Sequence, residues 1–92
     1  MPAGEIRVAI AAAGTYKIKK TAGKRTEITE LIITANVAGS ITISDGAITD
    51  TIYLGAGVNT PFEHVLVYET DNDITITAVT SNVSVYGHYH QA

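Results

Sequence analysis

The side chains best suited to nucleophilic, general-base or metal chemistry are three histidines (His64, His88, His90), four serines (Ser40, Ser44, Ser81, Ser84) and the aspartates Asp45 and Asp50; cysteine is absent. None of the serines lies in a G-x-S-x-G nucleophile elbow. Asp45 and Asp50 could face each other across a hairpin, but Asp45-Gly46 reads first as turn chemistry. His88-Tyr89-His90 has ligand spacing, because residues i and i+2 of a strand share a face and both imidazoles could reach one ion. Two ligands are too few for a closed site in one copy; three copies on a threefold axis would bring six. A solvated or interface-lining pair is the plainer reading. Tyr86, Asn82 and Ser84 share the face of His88 and His90, and Tyr and His suit protein–protein contacts. Gly55 and Gly57 echo a dinucleotide-binding loop without its third glycine or its helix. The Asn-Val-Ser run at 82–84 matches a glycosylation sequon only by coincidence if the chain is not secreted. No catalytic, cofactor or metal residue is assigned, and the expectation is a protein that is not an enzyme.

The elements that would position these groups are short. Residues 5–11 alternate, with Ile6, Val8 and Ile10 on one face, and residues 15–19 alternate again with Tyr16 and Ile18 against Lys17 and Lys19. Residues 21–25 form a turn around Gly23. Residues 26–37 fit a helical stripe at Ile28, Leu31, Ile32 and Ala35. Their β-branched content, and the period of two through Leu31, Ile33, Ala35 and Val37, favour one long strand. Residues 40–44 follow, then an Asp45-Gly46 two-residue hairpin turn. Residues 47–54 carry Ile48, Ile52 and Leu54 inward, with Asp50 an exception on that face. Residues 55–61 are a loop, 62–68 a strand, 70–73 a turn, and 73–79 and 82–89 the closing strands. About eight short strands with no secure helix predict an all-β antiparallel sandwich, jelly-roll-like, in a single domain spanning residues 1–92. The predicted core is Ile6, Val8, Ile10, Leu31, Ile33, Ile41, Ile43, Ile52, Leu54, Leu66, Ile74, Ile76, Val83 and Val85.

Apolar residues make up 46% of the chain and charged ones only 16%, much apolar material for a domain this small. Part of it is expected to face another copy of the chain, as a homo-oligomer. With no cysteine, disulfides cannot staple the fold. All six basic residues fall in the first 25 positions with one acid, and residues 26–92 carry eight acids and no Lys or Arg, giving +5 and −8. An N-terminal basic strand pair could dock on the acidic part of a neighbouring copy, or simply stay solvated. Few basic residues, no stacking aromatic series and a net charge of −3 speak against nucleic acid. No run approaches the ~20 apolar residues of a membrane helix. The N-terminal residues lack signal-peptide regions, so synthesis in a cytoplasm is expected.

Four stretches taken together, 29–37 (TELIITANV), 40–46 (SITISDG), 61–67 (PFEHVLV) and 73–79 (DITITAV), resemble the small trimeric β-sandwich structural proteins of tailed bacteriophages. The likeness covers about residues 26–89 and lies in the order of strands and turns; the basic first quarter is outside it. It implies a non-enzymatic virion protein made in the host bacterial cytoplasm. Such a protein would be a trimer that decorates or cements a capsid, or serves as a head/tail accessory, by contacting virion proteins such as the major capsid protein. The alternative is a carbohydrate- or receptor-binding module of a phage fibre or tail tip. His88-Tyr89-His90 is separately similar to the iron-holding motif of trimeric phage spike tips, over three residues only.

Overall fold

A computed structural model of the chain describes residues 3–20, 23–60, 66–69 and 72–91. They form nine strands: β1 (Ala3–Ile10), β2 (Thr15–Ile18), β3 (Thr26–Ala35), β4 (Gly39–Ser44), β5 (Thr49–Leu54), β6 (Gly57–Asn59), β7 (Leu66–Tyr68), β8 (Ile74–Ala78) and β9 (Val83–Gln91). One antiparallel sheet runs β1-β9-β3-β6, with β7 also on β3; the other runs β2-β8-β4-β5. β6 pairs with the end of β3 at Ile33–Ala35 and β7 with its start at Thr26–Ile28. The two act as one interrupted edge strand. With them counted as one, each sheet has four strands, and the chain crosses between sheets at every connection except the β4–β5 hairpin. That is the double Greek-key order of a jelly roll.

The core lies between the sheets, because alternation along each strand sends every second side chain inward. Eleven of the predicted core residues are buried, and Val8, Ile52 and Leu66 pack half-buried against them. Ile18, Ile28, Ala35, Tyr68 and Ala78 complete the cluster.

Long strand β3 departs from simple alternation at one point. Its pairing with β9 runs Ile28↔Tyr89 and then Glu30↔His88, so Thr29 is an extra residue in a β-bulge. The bulge shifts parity: Thr26 and Ile28 point inward before it, Leu31, Ile33 and Ala35 after it. The helix-like spacing of Ile28 and Leu31 is therefore a strand with one residue inserted. Opposite the bulge the backbones come close: a Cβ on Gly87 would fall on the Glu30 carbonyl oxygen, so only glycine fits there.

Several expectations are corrected. The N-terminal strands β1 and β2 do not pair with each other; β1 pairs with β9 and β2 with β8. β3 stops at Ala35, and Val37 stands 51% exposed in the following loop. The 55–61 loop contains β6, tied down by Asn59, whose amide donates to the carbonyls of Ile33, Gly55 and Gly57. The Asp45-Gly46 turn spans four residues between the paired Ser44 and Thr49. Asp45 Oδ1 accepts from the Ala47 and Ile48 amides at 2.8 and 2.6 Å, and Gly46 takes φ +94°. Ile48 consequently sits in the loop, 55% exposed, rather than in the core. Only residues 66–68 of the 62–68 strand, and only part of the turn at 70–73, are among the described residues.

Candidate functional site

β9 places Tyr86, His88 and His90 on the outer face of its sheet, as the period of two requires. The register sets His88 between Glu5 of β1 and Glu30 of β3, and Tyr86 between Arg7 and Ile32. His90 Nε2 donates to Glu27 Oε1 at 2.6 Å, and the Arg25 Nε lies 2.6 Å from the other oxygen of the same carboxylate. The Arg25 hydrogen bond, with His90 adding to it, holds the Glu27 carboxyl below its usual range. Among the described residues, no three of His, Asp or Glu converge in a metal-binding arrangement. His64 lies outside the described residues.

The remaining chemical candidates are dispersed. Ser40 and Ser44 lie on the outer face of the β2-β8-β4-β5 sheet and Ser84 on the outer face of the other. Ser81 is buried, and its Oγ has no partner among the described residues. Asp45 and Asp50 are not paired with each other, since Asp50 sits opposite Ile43. Asp45 holds its loop, and Asp50 Oδ2 accepts a 2.6 Å hydrogen bond from the buried Tyr68 hydroxyl. That bond joins the edges of the two sheets and explains why an aspartate occupies an inward position. Burial, and then the bond to Asp50, push the Tyr68 hydroxyl well above the usual phenol range. Among the described residues, these elements bring no Ser, His and Asp together as a triad.

What the topology does assemble is one end of the sandwich. In a jelly roll alternate connections share an end, and here residues 11–14, 36–38, 55–56 and 79–82 lie together. Hydrogen bonds stitch three of these segments: Ala13 N to Ala78 O, Asn36 N to Asn82 O, and Ala12 N to Asn82 Oδ1. Their sequences are AAAG, NVA, GA and VTSN, thirteen residues without a single charge. The other end carries Lys19, Lys20, Lys24, Arg25, Asp45, Glu69 and Asp73.

Four of the seven large exposed apolar side chains among the described residues lie in or beside the uncharged end; Ile48, Val67 and Tyr86 lie elsewhere. Val37 and Val79 are 51% and 41% exposed in its loops; Tyr53 and Val58, 84% and 72% exposed, stand on the strands beside them. A shallow trough of about 480 Å³, floored by Ala9, Thr34 and Ser84 and rimmed by Ala11, Asn36 and Asn82, opens next to it. Ala13, at φ +65°, is the one described non-glycine residue in the left-handed region, a strain of the kind that collects at binding surfaces. The sequence contains the signal, four charge-free turns, but not the fact that they are neighbours.

No protein-family model, curated protein or solved structure matches the chain.

Proposed function

We propose that this protein is a non-enzymatic virion component of a tailed phage, a capsid-decoration or head/tail accessory protein, that docks through its uncharged loop end. The observation that carries the docking reading is the exposure of Val37 and Val79 within thirteen uncharged residues at one end of the sandwich, with Tyr53 and Val58 exposed on the two opposite outer faces beside it. An apolar, charge-depleted centre is the composition of a protein–protein contact. The virion assignment itself rests on the strand-and-turn resemblance, which the jelly-roll order supports. Several copies acting together would strengthen such a contact. Strands of nine and ten residues span roughly 30 Å, so the long axis of the 38 × 21 × 18 Å molecule runs along them. The end is then only 21 × 18 Å, and a flat contact there is about half of the ~800 Å² per partner of a stable interface. A homo-oligomer, a trimer by the resemblance, offers several such ends to a repeating surface and gains by multivalency.

The test is co-sedimentation with empty shells assembled from the major capsid protein encoded in the same genome. The protein is expected to pellet with the shells. Val37→Glu should reduce retention about tenfold or more, because it buries a charge against an apolar surface, and Ala47→Glu at the far end should not. Absence of any shell association rejects the virion reading. Tyr53, beside the hydroxyls of Ser40, Thr42 and Thr51, favours a second reading as a glycan-binding module, which tight glycan-array binding lost in Tyr53→Ala would establish.

A further inference from the structure

The four edges of the two sheets are unequal. Natural sheets protect their edges with short strands, interruptions, or charges pointed inward, since an open edge pairs with other chains. β2 is four residues long, and β6 and β7 are three residues each with a break between them. β5 carries the inward carboxylate of Asp50. β1 has none of these; the charges it carries, Glu5 and Arg7, point outward, where they repel some pairings and fit others. It runs eight residues, pairs with β9 from Ala3 to Ile10 without a register shift, and has no strand on its other side among the described residues.

Its charges also fit a second copy. Glu5 and Arg7 lie on the outer face and Ile6 and Val8 on the inner one. If two β1 strands pair antiparallel about a two-fold axis at Ile6, Glu5 of each copy falls opposite Arg7 of the other, Gly4 opposite Val8, and Ile6 opposite Ile6. Sliding the register by two residues sets Glu5 against Glu5 or Arg7 against Arg7, which is destabilising. Sliding it by one sets outer residues against inner ones. One register therefore satisfies both the faces and the charges.

We propose that β1 is a self-association edge. Two copies of this chain join their four-stranded sheets into one continuous sheet through antiparallel β1–β1 pairing centred on Ile6, in the Glu5-to-Arg7 register. An isologous contact of this kind yields a dimer, or two threefold rings joined face to face if a threefold contact exists elsewhere. It is tested independently of the virion reading, because only purified protein is involved. Antiparallel pairing points the two uncharged ends in opposite directions, so multivalent docking on one surface then needs the threefold contact as well.

Sedimentation equilibrium of the full chain at about 50 µM, a concentration at which a micromolar interface is populated, should show an even number of copies. Glu5→Arg and Arg7→Glu each place two like-charge pairs across the axis, and each alone should weaken association about tenfold or more. An equimolar mixture of the two variants restores both opposite-charge pairs and should associate as tightly as the parent protein. Both positions are exposed, and far-UV circular dichroism checks that each variant is folded. A parent protein that is monomeric or an odd-numbered oligomer overturns the proposal, as does a mixture that associates no better than its components.

Discussion

The bond from Tyr68 to Asp50 combines an aromatic core residue with the one acid on an inward strand position among the described residues. Neither group would be comfortable alone: a buried hydroxyl and a half-buried carboxylate each cost free energy unless bonded. Tyr68→Phe keeps the ring but strands the carboxylate, and should lower stability by about 1–3 kcal/mol at neutral pH in urea unfolding. The same bond sets a pH dependence. The folded-state affinity of Tyr68 for its proton is raised, while an unfolded tyrosine titrates at about pH 10. Above that pH the unfolded chain releases a proton that the folded chain keeps, so stability falls as pH rises. Between about pH 9 and about pH 11, Tyr68→Phe should therefore lose less stability than the parent. An equal or larger alkaline loss would mean that Tyr68 is not the group responsible.

Among the elements, β3 shows how a single inserted residue organises a strand. Thr29 adds only an exposed hydroxyl bond to the His88 carbonyl, so Thr29→Ala should change stability by less than about 1 kcal/mol. Deleting Thr29 is a different matter. The restored alternation would turn Thr26 and Ile28 to solvent, or Leu31, Ile33 and Ala35, whichever half keeps its pairing. A loss of at least about 3 kcal/mol, the scale of removing a large core side chain, is expected in the same urea experiment. A deletion variant as stable as the parent would show that the bulge is dispensable. β1 is the complementary case: its uninterrupted register is what leaves an edge able to pair.

The whole molecule is polarised along its length, uncharged at one end and charged at the other, with the basic connection β2–β3 beside the acids of β7–β8. Lys20 N donates to Asp73 Oδ1 at 2.7 Å there, and Gln91 donates to the Lys19 carbonyl at 2.6 Å. Both are backbone contacts that tie the basic connection down; a charge neutralised within its own copy is that of Arg25, paired with Glu27 at 2.6 Å. Salt should separate the two proposed contacts. Between about 0.05 and 0.5 M NaCl, shell binding through the uncharged end should change less than about twofold, whereas β1 pairing should weaken, since its cross-axis charges are exposed and screened. Shell binding that falls steeply with salt would instead place docking at the charged end.

The strands, the two-layer class and most of the core were legible in the sequence, because period-two alternation of Ile and Val against Thr and Ser is a local property read residue by residue. The chemistry was legible in the same way. His88 and His90 share a face because strand geometry alone dictates it. What local pattern could not supply was partnership. Tyr68 enters the core because Asp50 waits on the other sheet, eighteen positions away in the chain. Thr29 is a bulge only relative to β9, and Ile48 leaves the core because Asp45 closes a longer loop than Asp45-Gly46 announces. The uncharged end exists only once four separate turns are brought together, and β1 is an edge only because β2 crossed to the other sheet. Such pairings join residues far apart in sequence, and packing between the two sheets, rather than any neighbouring residue, decides them.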